Sequence, residues 1–396
     1  MTAAPRPTHN RRLVWGAGTL VLVTMVASYA PSPLYPLYQE RWGLSPSQVS
    51  VIFAGYPIGV ILTLIAFGGL SDRIGRRRAM LVGITGLVSA MTLLACAPTY
   101  GWLIVGRVVH GLAAGLITAA AAASLMEEHP RGVSAGSFIN AFLVSLGVAL
   151  GPFAAGLLAD GLPRPLATPY LAIGALLAVP MLTLARAADR RPLAGTPGAG
   201  LRPIGVPREV RSAFAVAAFA IISTNVTFGL IGAFGPHLAR TLGWTSESAT
   251  GQLVALPLVA VALIQLAAHR LRPQLTVVVG TILSTGCWLL LSFGTSADSR
   301  WVVLVGLALL GAGAGLSLLG AATIVGLIAP PGRQAETYAA WLVVAFSTLG
   351  GSALLAGPLV GRWPLDTVLI GTAAAAALLA WQVTVRNRRE PWERYA

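Results

Sequence analysis

The chain has 396 residues, of which 56% are hydrophobic and 10% are charged, and its mean hydropathy is +0.76. Soluble domains carry about a quarter charged residues, so this composition cannot cover a water-facing surface. It excludes a soluble enzyme, a disordered chain and a secreted disulfide scaffold, and it predicts a polytopic membrane protein.

The net charge of +14 rests on 27 basic residues, all of them arginine. These arginines form no continuous tract with interleaved aromatic residues, so we expect no nucleic-acid partner. Cys96 and Cys287 lie far apart in apolar stretches, where neither metal-ligand spacing nor a disulfide is indicated. We therefore expect two packing cysteines, no metal and no cofactor.

Twelve mostly apolar stretches are long enough to cross a bilayer, which takes about 20 helical residues each. They predict an all-α integral membrane protein of two pseudo-symmetric six-helix bundles. The predicted spans lie near residues 13–37, 48–70, 79–97, 101–125, 137–159, 168–187, 212–237, 248–268, 275–295, 301–329, 338–362 and 366–385.

The longest non-apolar segment, 188–211, is rich in Pro, Gly and Arg. It predicts three parts: a first bundle at 1–187, a central cytoplasmic loop at 188–211, and a second bundle with a short tail at 212–396. With the N-terminus inside, the inner loops and tails hold 21 arginines, the outer loops hold five, and one lies within a span. This asymmetry predicts a multi-pass protein of the bacterial cytoplasmic membrane with both termini in the cytoplasm.

The two halves repeat each other at an offset of 200 residues, at which several helix-breaking residues stay in step. The matched residues are Pro36, Gly43, Pro57, Gly106, Gly111 and Gly115, with Pro236, Gly243, Pro257, Gly306, Gly311 and Gly315. An internal duplication with parallel topology is typical of transporters, in which substrate binds at the repeat interface near mid-membrane.

The sharpest local signal is the inner loop between the second and third spans, where glycines, one acid and a fork of arginines follow one another. Its residues are Gly68, Leu70, Asp72, Arg73, Gly75, Arg76 and Arg77. The pattern resembles the G-x-L-x-D-R-x-G-R-R signature of the major facilitator superfamily, and the resemblance covers essentially the whole chain. It implies that these residues form a gate on the cytoplasmic side.

In that family the loop acid docks on the N-terminal end of the eleventh span, where the helix dipole favours negative charge. Here the acid would meet that span near Tyr338. Arg76 or Arg77 would reach Glu127 or Glu128 at the inner end of the fourth span. The corresponding loop of the second half lacks the acid, so we expect a one-sided latch.

The fourth span carries Arg107 and His110 on one helix face, in a stretch that resembles the family pattern L-x-x-x-R-x-x-Q-G with His in place of Gln. Ionisable residues within a membrane usually face a cavity or a partner. The equivalent positions of the second half hold Leu307 and Leu310, so the fold does not require polarity there. We expect Arg107 to act in coupling or cargo binding rather than only in structural hydrogen bonds. His110 either titrates or only replaces the hydrogen bonds of Gln.

The fifth span carries Gly147, Gly151, Pro152 and Gly156, a spacing that lets helices approach closely and that bends the helix at the proline. It is either a general packing seam or a functional motif. The run resembles the G-x-x-x-G-P-x-x-G-G motif of exporters in the superfamily, with Ala155 in place of one Gly. The resemblance implies the twelve-helix drug/proton antiporter branch.

All thirteen acids lie at span ends or in loops, so no carboxylate stands at mid-membrane. This favours neutral or anionic cargo near Arg107 and leaves the proton carrier open among His110, Glu40 and Asp72. Six further polar or aromatic residues are candidates for lining a cavity, with helix–helix hydrogen bonding as the alternative for each, and an interfacial aromatic belt as a further alternative for the two aromatic residues. They are Ser32, Tyr35, Asn140, Asn225, Gln252 and Trp341.

The sequence thus predicts a secondary transporter that is not an enzyme. It would act as a monomer in the bilayer and export small, largely hydrophobic molecules, such as drugs or metabolites, in exchange for protons. The alternative is a uniporter or a proton-linked importer of a small metabolite on the same fold. No Gly-rich nucleotide loop indicates an ATP-driven pump, and no catalytic motif indicates an intramembrane enzyme.

Overall fold

The computed structural model describes residues 10–67, 70–188, 204–330 and 332–395. Twelve helical units within these residues are long and apolar enough to cross a membrane. They are α1 (Arg11–Trp42), α2 (Pro46–Ala66), α3 (Arg76–Ala95), α4 (Tyr100–Glu128), α5 (Ala135–Gly161), α6 (Thr168–Ala185), α7 (Arg208–Thr241), α8 (Glu247–Ala268), α9 (Pro273–Ser296), α10 (Arg300–Ile328), α11 (Glu336–Arg362) and α12 (Leu365–Arg389). The predicted fold class is confirmed.

Because the number of spans is even, the two ends of the described chain lie on the same side of the bundle, here named the termini side. The opposite side is named the distal side. The predicted spans lie close to the observed ones, although α1 and α7 are longer than predicted. Most of the predicted central loop, at 189–203, lies outside the described residues, so the boundaries of the three parts stay a prediction.

Prolines interrupt α1 towards the distal side. Its regular helix ends at Tyr29, a 3-10 turn follows at Ser32–Leu34, and the helix resumes at Tyr35. Pro31 and Pro33 carry no backbone N–H and cannot continue the helical hydrogen-bond ladder. The carbonyl groups of Ala27 and Tyr29, whose i+4 residues are these two prolines, therefore lack regular partners within the helix.

The helices pack as two bundles that repeat the same contacts. In the first bundle α4 packs on α2 and α3, and α5 packs on α1; in the second, α10 packs on α8 and α9, and α11 packs on α7. The bundles meet mainly through two helix pairs, α5 with α8 and α2 with α11. These pairs are equivalent under the repeat, so the interface has pseudo-two-fold symmetry.

Matched glycines hold equivalent helices together in each bundle. A Cβ at Gly111 on α4 would collide with the carbonyl oxygen of Tyr56 on α2, and a Cβ at Gly311 on α10 would collide with that of Pro257 on α8. Both crossings thus bring two backbones into direct contact. Since residues four apart share a helix face, the first crossing turns Arg107 towards α2.

Candidate functional site

Arg107 lies near the middle of α4 and has no solvent-exposed surface. Its guanidinium reaches α1 and α2 and donates to three backbone carbonyl oxygens. The oxygen of Ser28 lies 3.1 Å from Nη1, and those of Ile52 and Phe53 lie 3.4 Å from Nε and Nη2. A charged group at membrane depth requires such polar surroundings. The main chain of two neighbouring helices therefore holds Arg107.

A helix-breaking proline accounts for one of these three carbonyl groups. In a regular helix the Phe53 carbonyl accepts from the N–H of residue 57, but that residue is Pro57, within α2. Proline has no N–H, so the Phe53 oxygen is left to accept from Arg107. Ser28 lies in the last turn of α1 before its regular helix ends at Tyr29.

Aromatic rings and an imidazole complete the surroundings of the guanidinium. The Cζ atom of Arg107 lies 5.1 Å from the centroid of the Tyr56 ring and 5.9 Å from that of Phe53, within the range of cation–π attraction. His110 is fully buried, and its Nδ1 lies 3.5 Å from Nη1 of Arg107. Within the described residues no carboxylate pairs with Arg107, so only neutral groups surround its charge.

Several buried polar atoms of α1 and α4 have no hydrogen-bond partner in the part of the chain that the structure describes. They are the hydroxyl groups of Ser32 and Tyr35 and the Nε2 atom of His110. The three side chains are buried, with at most 1% of their surface exposed. Ser32 and Tyr35 follow Ser28 on α1, whose carbonyl oxygen accepts from Arg107. Buried polar atoms of this kind are rare and costly unless a partner binds them.

This central cluster lies where the two bundles meet. The ring of Tyr56 lies 6.2 Å from the ring of Phe346 on α11, and the Tyr29 hydroxyl donates to the carbonyl oxygen of Phe228 on α7 at 3.4 Å. The cluster therefore lies at the interface of the two repeats, which is where duplicated transporters bind substrate.

The other predicted cavity residues have varied surroundings. Asn225 on α7 is buried and donates to the Ile221 carbonyl oxygen at 3.1 Å, as a helix-packing amide would. The Oδ1 atom of Asn140 and the Nε1 atom of Trp341 are buried without a partner among the described residues. Gln252 is exposed on α8, so the structure does not bring it into the central cluster.

On the termini side, the arginine loop joins helix ends of the first bundle. Gly75 has a φ of 90° and immediately precedes α3, a conformation that favours glycine. Nη2 of Arg76 lies 3.0 Å from the carboxylate of Glu127 on α4, one of the expected contacts. Arg77 donates to the carbonyl oxygens of Leu184 and Ala185 at the end of α6.

These contacts of Arg76 and Arg77 lie within the first bundle, and Arg73 is exposed. The expectation that this loop latches the cytoplasmic side shut stays a prediction. Gly68 and the side chain of Asp72 lie outside the described part of the chain. The contact of Asp72 with α11 near Tyr338 stays a prediction.

On the distal side, an ion pair joins the bundles. Nη2 of Arg240 at the end of α7 lies 2.6 Å from Oε1 of Glu40 at the end of α1. Both side chains are exposed to more than a third of their surface, so solvent screens the pair.

A second distal contact caps the start of α8 with an acid from α5. The carboxylate of Asp160 accepts from the backbone N–H of Glu247 at 3.1 Å and from that of Ser248 at 2.8 Å. An anion at this end of a helix satisfies unpaired donors and interacts favourably with the helix dipole. The equivalent start of α2 is capped locally by Ser45 and Gln48. The helix α8 also has a local N-cap, since the Ser246 hydroxyl accepts from the N–H of Ala249 at 3.2 Å, and of these two helices only α8 adds an acceptor from the other bundle.

Sequence reasoning assigned no role to Asp160. It lies near the end of a span, where acids are common, and its partners are 87 and 88 residues away along the chain. A local pattern cannot report a contact between such distant segments. The same holds for Tyr56, which reads as an ordinary apolar-face residue of α2 in the sequence.

The glycine and proline motif of α5 packs on both bundles. A Cβ at Gly147 would lie 2.6 Å from Met25 Cβ on α1, and one at Gly151 would lie 3.2 Å from the backbone N of Ala30. Further along, a Cβ at Gly156 would collide with the Glu247 carbonyl oxygen on α8. The motif therefore holds α5 against α1 of its own bundle and against α8 of the other, next to the Asp160 cap.

The α5–α8 contact continues to the termini side. Ser145 donates to Oε1 of Gln265 at 2.9 Å, and the rings of Phe138 and His269 lie 5.8 Å apart. Since Arg107 has no exposed surface, the central cluster is closed to solvent in this structure. A ligand reaches it only after the bundles separate on one side.

Curated relatives match parts of the chain. The multidrug resistance protein MdtG of Serratia proteamaculans is 31% identical over 193 residues, 46% of each chain. The methylenomycin A resistance protein of Bacillus subtilis is 34% identical over 29% of this chain and 25% of its own. A triacylglyceride transporter of Mycolicibacterium hassiacum is 29% identical over 37% of this chain and 28% of its own. These matches thus span less than half of each relative.

A solved structure supports the fold over almost the whole chain. The human organic anion transporter MFSD10 (TETRAN) superposes with a TM-score of 0.72 at 18% identity, covering 96% of this chain and all of that one. A POT family transporter gives the same TM-score at 14% identity. The family model described as Major Facilitator Superfamily matches residues 17–353. The chain belongs to the major facilitator superfamily and is a membrane transporter rather than an enzyme.

Proposed function

We propose that this chain is a proton-coupled exporter of small, largely hydrophobic molecules that works by alternating access, as a monomer. The observation that carries the proposal is the closed cluster around Arg107 between the bundles, in which buried hydroxyl groups lack partners among the described residues. Cargo binds in this cluster, and the bundles then rock about their α2–α11 and α5–α8 contacts. Arg107 and His110 bind cargo or couple its movement to protons.

The proposed orientation in the membrane rests on the distribution of arginines, and the proposed direction of transport rests on the names of the relatives. The arginine asymmetry supports a cytoplasmic termini side and an external distal side. The relatives in Serratia and Bacillus support a bacterial cytoplasmic membrane, and their names as resistance proteins support efflux. The relative named as a triacylglyceride transporter leaves the cargo class of this chain open.

Two sets of contacts act as gates in this proposal. The external gate consists of the Glu40–Arg240 ion pair and the Asp160 cap on α8, both of which join the bundles. The cytoplasmic gate is the arginine loop with Asp72. Outward opening requires that both external contacts break.

The external gate also offers a route for proton coupling. Asp160 joins His110, Glu40 and Asp72 as a candidate proton carrier. Protonation of Asp160 removes the negative charge from the N-terminus of α8 and weakens its cap. A proton that binds from outside therefore favours outward opening and cargo release, and antiport requires that a proton then pass inward as the protein returns to its inward-facing state. One charge moved through 100 mV supplies about 2.3 kcal/mol, enough for modest concentrative export.

The second candidate is a uniporter or a proton-linked importer of a small metabolite. One observation favours the uniporter: no carboxylate pairs with Arg107 in the described part of the chain, so the central cluster lacks an acid that could carry a proton beside the cargo. The direction of cargo movement and its dependence on protons distinguish the three transporters.

The test uses purified protein in liposomes that contain a pH-sensitive dye, with an imposed pH gradient. Ethidium, chloramphenicol and 2-naphthoate serve as cationic, neutral and anionic test cargo. We expect at least one compound to drive proton movement opposite to its own, and Arg107→Ala and Asp160→Asn to reduce that flux. Cargo movement without proton flux would establish the uniporter instead, and proton movement in the same direction would establish the importer.

A further inference from the structure

We propose that the central cluster binds an anionic group of the cargo, of the carboxylate class, through the guanidinium of Arg107 and the hydroxyl groups of Tyr35 and Ser32. This inference rests on the proposed function, because it names the chemical class of the molecule that the transporter moves. It adds that the cargo carries a negative charge and that this charge binds at the named side chains.

The first argument is the unbalanced charge of Arg107. A guanidinium stays protonated in proteins, so burial does not neutralise it. Its partners are the carbonyl oxygens of Ser28, Ile52 and Phe53, at 3.1–3.4 Å, which are dipoles without net charge. A buried charge is normally paired with an opposite one. Within the described residues the protein supplies none here, and a cargo carboxylate would.

The second argument is the set of unpartnered hydrogen-bonding groups on α1 and α4, the two helices that the Ser28–Arg107 contact joins. The Tyr35 and Ser32 hydroxyl groups are donors that lack acceptors among the described residues. The Nε2 atom of His110 is also unpartnered there, and it donates in one tautomer. An ionised carboxylate is a pure acceptor with about four lone-pair positions, so it suits a guanidinium combined with hydroxyl donors. A cation would be repelled, and a neutral molecule would leave the charge unpaired.

The third argument comes from the second bundle, which serves as an internal control. The positions equivalent to Arg107 and His110 hold Leu307 and Leu310, and both leucines are fully buried. The α8–α10 crossing is as close as the α2–α4 crossing, since Gly311 meets the backbone of Pro257. Leucine therefore suffices to pack this position. Packing alone therefore does not require an arginine at this position in either bundle, so the arginine of the first bundle serves another purpose.

The experiment measures binding of three probes with the same hydrophobic body to the full-length protein in nanodiscs. They are 2-naphthoate, its methyl ester, and 2-naphthylmethylammonium, and their affinities are read from calorimetry and from thermal stabilisation. We expect 2-naphthoate to bind at least about tenfold more tightly than the ester, because hydrogen bonds to a charged group add this much. The ammonium compound should bind most weakly.

Variants assign the preference to the named atoms. Arg107→Gln should abolish the preference for the carboxylate over the ester, and Arg107→Lys should retain part of it. Tyr35→Phe and Ser32→Ala keep the guanidinium and should each weaken 2-naphthoate binding a few-fold without changing ester binding. Arg300→Gln removes an exposed arginine at the start of α10 and should change nothing. The hydroxyl variants keep the test valid if Arg107→Gln does not fold.

Equal affinity for carboxylate and ester, or a preference that survives loss of Arg107, would overturn the inference. Liposome flux separates this failure from failure of the proposed function. If the ester is exported in exchange for protons as fast as the carboxylate, the proposed exporter function holds but the cargo need not be an anion. If the carboxylate binds with the expected preference but never crosses the membrane, the anion site is supported and the proposed transport function is contradicted.

Discussion

Glu40 at the distal end of α1 and Arg240 at the distal end of α7 lie 200 residues apart, and their side chains form an ion pair at 2.6 Å. The spacing equals the offset at which the prolines and glycines of the two halves match, so the two residues occupy the same position of the repeat. Equivalent residues meet only next to the symmetry axis. The ion pair therefore marks where the pseudo-two-fold axis leaves the bundle, and the bundles break it when they separate there.

The first prediction concerns this pair. Arg240→Glu places two like charges at the contact and should shift the protein towards distal opening, while the exposed pair contributes little to overall stability. The readout is the labelling rate of Ser32→Cys by a membrane-impermeant thiol reagent, in a chain whose Cys96 and Cys287 are replaced by Ser. We expect Arg240→Glu to increase this labelling rate by about fivefold or less relative to the parent.

A charge swap is the control for the ion pair. Glu40→Arg combined with Arg240→Glu restores opposite charges at the same two positions and should return the labelling rate to that of the parent. If the double variant labels as fast as the single one, the effect comes from local perturbation rather than from the charge pair.

The second prediction concerns the cap of α8. Asp160→Ala leaves the backbone N–H groups of Glu247 and Ser248 without their acceptor and should lower the free energy of unfolding by about 1 kcal/mol. It should also raise the labelling of Ser32→Cys, because the lost contact joins the two bundles. Thermal unfolding and labelling of the same variant measure the two effects separately.

Ser45→Ala is the matched variant, since Ser45 caps α2 through the N–H of Gln48 within the same bundle. It should lower stability by a similar amount and leave the labelling of Ser32→Cys unchanged. Equal labelling in the two capping variants would contradict the assignment of Asp160 to the external gate.

The sequence predicts the fold because each span carries its own signal, a long apolar stretch that the bilayer requires. It also predicts Arg107, because a charge within a span is conspicuous without any knowledge of its partners. The surroundings of Arg107 were not predicted. Which carbonyl groups meet the guanidinium depends on how closely α4 crosses α2, and that depends on Gly111 meeting the backbone of Tyr56.

The contacts of the two gates also differ in how far the sequence could predict them. Arg76 and Glu127 stand at the ends of spans predicted to be neighbours, so their pairing is expected from the sequence and is found at 3.0 Å. The cap that Asp160 places on α8 joins segments from different bundles, and no periodicity connects them. Polarity within a span makes Gln252 a candidate cavity residue, and the structure leaves its side chain exposed outside the central cluster, so its role as a cavity residue stays a prediction.

The third prediction concerns the helix crossings. Gly111→Ala places a methyl group against the carbonyl oxygen of Tyr56 and should destabilise the protein by about 1–3 kcal/mol, because the two backbones must move apart. Gly286→Ala on α9 is the control, since a Cβ there meets nothing within 4 Å. It should stabilise the helix by up to about 1 kcal/mol. Thermal unfolding that ranks the two variants in the opposite order would contradict the crossing.

The fourth prediction concerns Pro57, whose missing N–H leaves the Phe53 carbonyl oxygen to Arg107. Pro57→Ala restores an N–H in α2, which competes for that oxygen and should loosen the guanidinium. We expect cargo binding to weaken several-fold while thermal stability holds or rises, since proline disfavours a helix interior. Pro257→Ala changes the equivalent position of α8, opposite Leu307 instead of an arginine, and should leave cargo binding unchanged. A similar loss of binding in both variants would mean that the prolines act by bending the helices rather than by freeing a carbonyl group for Arg107.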